Sequence, residues 1–212
     1  MAEPADANRS TPPPSLAEVI GGPLGVAETS LPAVAFVIAY TASGSDTNTA
    51  AAVAVGLAVL LAAARLVRRE SPQHALSGLI GVGFAAFIAT RSGKAENFFL
   101  PGLLANALYA SAFLVSLAVR RPLVGIIVTK LDGEDAGWRN DPRRMRAFVR
   151  ATWLWAGIFV LRLVVQLPLY LAGAVVALGI ARTALSLPMF GLGLWLTWLL
   201  VRRHRVPAPA PT

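Results

Sequence analysis

The chain has 212 residues, 56% of them hydrophobic and 14% charged, with a net charge of +8 and a mean hydropathy of +0.62. A soluble domain is nearer a quarter charged, so this composition points to a membrane. With no cysteine and only two histidines, His74 and His204, the chain has no disulfide, no thiol chemistry and no multi-histidine metal site of its own.

Residues 1–15, "MAEPADANRSTPPPS", are polar and proline-rich. They lack a basic start followed directly by an apolar run, so they read as a disordered tail rather than a signal peptide. A single transmembrane domain is expected over 16–203. A span needs about 17 to 25 apolar residues. The first candidate covers 28–43, with Pro32 near its start, where proline is tolerated. The second, 47–67, is long and clean. The third covers 72–90. The fourth covers 98–119, with Pro101 in its first turn. A loop follows over 120–147, then a fifth span over 148–167. The remaining apolar run is too long for one straight span and is divided by Pro188. Residues 172–187 read as a short interfacial or re-entrant helix carrying Arg182, the alternative being that they open span six. Span six itself is centred on 188–201. Residues 204–212 form a short Pro/Ala tail. The fold class is therefore all-α: a polytopic membrane bundle of six transmembrane helices plus short interfacial helices.

The distribution of basic residues tests this independently. Cytoplasmic loops retain Lys and Arg. With the N-terminus inside, only Arg91, Lys94 and Arg182 fall outside, and Arg162 falls within a span. All other basic residues lie inside. Both termini are therefore expected in the cytoplasm, with the protein in the plasma membrane. Nucleic acid, the usual reading of a strongly basic soluble chain, is not expected as a partner.

The 120–147 loop opens with "RRPLVGIIVTKL", an apolar stretch too short to span and suited to the membrane surface. An acidic turn follows. Asp141 is a plausible helix cap with Pro142 in the first turn. Arg143, Arg146 and Arg150 then share one helix face. Together with Arg120 and Arg121 they are candidate contacts for anionic lipid head groups. Ordinary topology signalling with snorkelling side chains is the competing explanation.

"FVLRLVVQLPLYL", residues 159–171, carries Arg162 and Gln166 four apart in an otherwise apolar run. An ionisable residue inside a span is a functional hypothesis by default. No acidic residue lies deep in any expected span, which disfavours proton- or cation-coupled transport. A polar intramembrane site is expected around Arg162, Gln166, Tyr170, Asn106, Tyr109, Tyr40 and Glu96, taking an anion or a polar head group. The competing explanation is structural: Arg162 snorkels, or hydrogen-bonds carbonyls near a helix broken by Pro168. There is no Ser/His/Asp set, no paired carboxylates, no phosphate loop and no metal-ligand spacing. No enzymatic activity, metal or cofactor is therefore expected.

The stretches "LPAVAFVIAY", "ARLVRRESPQHALSGLIGV", "ATRSGKAENFFLPGLLANALYASAFLVSLAVRRPLVG" and "WRNDPRRMRAFVRATWLWAGIFVLRLVVQLPLYLAG" together resemble an actinobacterial family of alanine- and leucine-rich integral membrane proteins, a domain of unknown function. The resemblance covers about residues 17–203. Pro32, Phe36 and Tyr40, with Arg121, Pro122 and Leu123, are also similar to the intracellular septation protein A family, which implies a role in envelope integrity. Neither resemblance implies catalytic residues. The expected protein is a non-enzymatic envelope or membrane-organising protein that contacts anionic lipids at its cytoplasmic face. A small transporter or a lipid- or anion-binding protein built on Arg162 and Gln166 is the alternative. A second copy or another membrane protein stays open as protein partner.

Overall fold

Two of the long helices begin on an aspartate cap. The computed structural model describes residues 22–69, 72–131 and 136–202, all helices and short connections. Residues 1–21, 70–71, 132–135 and 203–212, both expected tails among them, lie outside the described residues. The helices are α1 (Gly22–Ala42), α2 (Thr47–Val67), α3 (Pro72–Ser92), α4 (Leu100–Ala118), α5 (Leu123–Leu131), α6 (Pro142–Leu171) and α7 (Val175–Arg202). Two 3-10 helices, Ala95–Phe99 and Ala136–Asn140, precede α4 and α6.

Asp46 starts α2. Its carboxylate accepts from the backbone N–H groups of Asn48 and Thr49, both at 3.1 Å. The Thr49 hydroxyl, then the backbone N–H groups of Thr49 and Asn48, hold this carboxyl below the usual aspartate range. Asp141 caps α6 as its sequence context suggests, accepting from Arg143 N–H at 2.8 Å and Arg144 N–H at 3.4 Å. That cap lies well before the expected start at 148. The 120–147 segment between the spans thus contains α5 and the first turns of α6.

Successive long helices run antiparallel. Helices α1 to α3 pack in sequence, α4 packs on α6, α6 on α7, and α7 closes back on α1. The arginine-rich ends of α2, α4, α6 and α7 thus gather on one side. Two apolar cores result. At the opposite side, Phe36 is fully buried, stacked 4.0 Å from Phe98 and edge-on to Phe99, against the small Ala50, Ala51 and Ala54 of α2. Small residues let helix backbones approach where lipid supplies no hydrophobic drive. At the arginine-rich side, Phe113, Phe148, Trp155 and the almost fully buried Trp138 form the second core. Gly125 of α5 makes room for it, because a Cβ there would stand 2.9 Å from Trp138 and 3.0 Å from Phe148.

Five segments, Thr47–Val67, Ala75–Ser92, Ala95–Ala118, Pro142–Leu171 and Val175–Leu200, are long and apolar enough to cross a membrane. Ser30–Ala42 is a shorter apolar helix. Only 18% to 28% of each apolar window is buried within the protein. Leu60, Leu108, Val164 and Ile180 are each more than 60% exposed. Water could not tolerate that much apolar surface, whereas lipid is its natural solvent.

The last region corrects the sequence expectation. Residues 172–187 do not form a separate interfacial or re-entrant helix. Ala172 to Ala174 make the turn, with Gly173 at φ +64°, and α7 then runs unbroken through Pro188. The reason lies in Arg162.

Candidate functional site

Pro188 has no N–H, so the carbonyl four residues back, on Ala184, loses its helical donor. The ring also crowds that turn and opens it. In a membrane the freed backbone must find donors from neighbouring helices. Arg162 of α6 donates to the next two carbonyls of that turn, not to Ala184 itself. Its Nε donates to the Leu185 carbonyl at 3.2 Å, and Nη2 donates to the Leu185 and Ser186 carbonyls at 2.8 and 2.9 Å. The Ser186 hydroxyl donates to the Arg182 carbonyl at 2.6 Å. The proline-bearing turn is thus tied to α6, and α7 can continue as a helix. The guanidinium also lies 5.9 Å over the Phe159 ring, a cation–π distance. The carbonyls belong to α7 beside Pro188, not to the Pro168 region suggested by the sequence.

Gln166, one turn further along α6, is 3% exposed. Tyr170 does not join Arg162. Its hydroxyl donates to Asn97 Oδ1 at 2.5 Å, and Asn97 Nδ2 donates to Ser92 Oγ at 2.8 Å, linking α6 to the end of α3. Tyr40 stacks on Phe36 in the first core. Tyr109 is half-exposed and packs 5.2 Å from Phe159, so it lies beside the ring that carries Arg162. Asn106 is partly buried on α4, three residues before Tyr109. Glu96 is partly buried in the 3-10 helix before α4 and makes no ion pair with either intramembrane arginine among the described residues. The expected polar set is therefore divided. Arg162, Tyr109 and Phe159 are in one neighbourhood, with Gln166 and Asn106 a turn away. Tyr170 and Asn97 form a second group, and Tyr40 belongs to the aromatic core.

Arg182 was placed outside the bundle by the charge pattern. It lies instead inside α7, partly buried, with its guanidinium 5.8 Å over the Phe99 ring and against Gly102 of α4. Sequence offered only one hint of this, the position of Arg182 six residues before Pro188. Nothing in the sequence pairs Arg182 with Gly102.

At the other end, Arg120, Arg121, Arg143, Arg146 and Arg150 are all exposed. Arg120 stands on the rim of a groove of about 510 Å³, floored by Leu114, Leu117, Met145, Val149 and Trp153 from α4 and α6. Among the described residues no group of three His, Cys, Asp or Glu could hold a metal.

An all-helical bundle with lipid-facing apolar walls, an arginine tying two of its long helices, and arginines gathered at one end defines a multi-pass membrane protein. The chain belongs to the family described as protein of unknown function (DUF3159), whose model matches residues 20–208. No curated protein and no solved structure matches it.

Proposed function

We propose that the protein is a six-span, non-enzymatic component of the cytoplasmic membrane that organises its surroundings by holding anionic lipid. Helix α1 would serve as the first span, shorter in its apolar part than the rest. Both termini face the cytoplasm, because the arginine-rich ends gather on one side and basic ends are retained there. The groove beside Arg120 is the observation that carries this reading. Its floor is apolar and its rim is a guanidinium, with the exposed Arg121, Arg146 and Arg150 close in sequence to its lining. That combination suits one acyl chain below a phosphate or other acidic head group. Likeness to the septation protein A family at Pro32, Phe36 and Tyr40 supports a place in the envelope.

Replacing Arg120 and Arg150 together by glutamine is expected to remove the enrichment of anionic lipid in the purified protein. Each near-surface cation is worth about 1 kcal/mol of attraction, so the pair corresponds to a fall of roughly tenfold or more. Mass spectrometry of lipid extracted with the protein measures it. Unchanged enrichment in a variant that still inserts would reject the groove as the lipid site.

A further inference from the structure

Arg182 is a cation within the bundle that no group among the described residues neutralises. It lies seven residues into α7, roughly 10 Å along the helix axis. Among the described residues its guanidinium has no hydrogen-bond or ion-pair partner, only the Phe99 ring and the backbone of α4. The seat is shaped for it. A Cβ at position 102 would stand 2.2 Å from Arg182 Nη1 and 3.0 Å from Cζ, so any larger residue there would displace the guanidinium from this seat.

The neighbours make the charge harder to explain as packing. Arg162 is held at the Leu185 and Ser186 carbonyls, one turn along α7 from Arg182. Its Nε and Nη2 are engaged by the Leu185 and Ser186 carbonyls, while Nη1 makes no hydrogen bond among the described residues. Dipolar carbonyls orient that group without cancelling its charge. Gln166 lies one turn from Arg162 on the same face of α6, and Asn106 one turn from Gly102 on the same face of α4. Two cations thus lie one turn apart along α7, and among the described residues no carboxylate makes an ion pair with either. Charged groups in the hydrocarbon region pair with a counter-charge or mark a ligand path. The missing member is an anion.

We propose that Arg182, seated at Gly102 and assisted by Arg162, binds a phosphate group entering from the Phe99 end of the bundle. Paired guanidinium groups match the charge and forked geometry of phosphate better than a single carboxylate. The phosphate could come from a lipid head group of that leaflet or from a free phosphate. This site is independent of the Arg120 groove, which lies at the other end of the molecule.

The test uses the full chain, delipidated in neutral detergent. The probes are inorganic phosphate and phosphatidylglycerol in mixed micelles, with binding read by native mass spectrometry and by the shift in unfolding temperature. At least one probe is expected to bind, and Arg182→Gln to weaken it about tenfold or more, as loss of a charge-assisted contact implies. Gly102→Ala should weaken it similarly with all charges retained, and Arg120→Gln should leave this component unchanged. Binding of inorganic phosphate identifies a free oxyanion ligand, and binding of the lipid alone identifies a head group. If Gly102→Ala or Arg182→Gln fails to fold, Arg182→Lys replaces it. Lysine keeps the charge, loses the fork, and is expected to lower affinity by the same factor. Binding of neither probe to the wild type, or equal binding to wild type and the Arg182 variants, overturns the proposal.

Discussion

Replacing Phe36 by alanine is expected to be the most damaging single truncation in the protein, lowering stability by about 3 kcal/mol. That is the lower end of the range for large aromatic truncations in water, because lipid rather than water is the reference solvent here. What is lost is packing. The ring is 0% exposed, stacked 4.0 Å from Phe98 and edge-on to Phe99 at 6.0 Å. Phe98 and Phe99 belong to the 3-10 helix that delivers α4, so this contact joins α1 to the other half of the bundle. Neighbouring helices cannot close a gap of that size without moving α1. Equilibrium unfolding in mixed micelles measures the effect, and a loss below about 1 kcal/mol would mean that the ring is not packed as described.

Arg162→Met is the second large effect. It keeps an unbranched apolar stem and removes three hydrogen bonds to the carbonyls of Leu185 and Ser186. Hydrogen bonds from a charged donor are worth about 1.5 to 3 kcal/mol together with the cost of orphaned acceptors, but membrane measurements run lower, so about 2 kcal/mol is expected for the set. Arg162→Lys should recover only part, because an ammonium cannot span two successive carbonyls as a planar fork does. The role of Pro188 makes the prediction specific. Pro188→Ala restores the backbone donor and relaxes the turn, so Arg162→Met should then cost less. A coupling of about 1 kcal/mol in the double-mutant cycle is expected. Additivity of the two substitutions would show that Arg162 does not serve the proline turn.

Hydropathy made the long helices legible, because a span must be continuous and apolar over a known length. Thr47–Val67 has the expected bounds, and Asp141 and Pro142 mark the start of α6 by cap chemistry alone. Pro188 misled for a physical reason. A proline in the body of a soluble helix usually ends it, whereas in a bundle a donor from another helix can repair the turn. The donor was visible as Arg162, but its register against Leu185 and Ser186 depends on how α6 and α7 pack. Arg182 was counted with the outer loop because charge rules assign a lone arginine near a span end to water. Its seat is created by the absence of a side chain at Gly102, and an absence at one position carries no sequence signal toward another eighty residues away. The groove beside Arg120 was half legible. The arginines were evident, but the apolar floor needs α4 and α6 side by side.

Everything proposed about lipid depends on which way the bundle faces, since the Arg120 groove must open to the inner leaflet and the Arg182 seat toward the outer one. The chain has no cysteine, so single cysteines report their own position without background. With Lys94→Cys and Asp135→Cys made separately, a membrane-impermeant maleimide applied to intact cells is expected to label position 94 and to label position 135 only after the cells are opened. Labelling of position 135 from outside intact cells, with position 94 protected, would contradict the proposed topology and with it the assignment of both anionic sites.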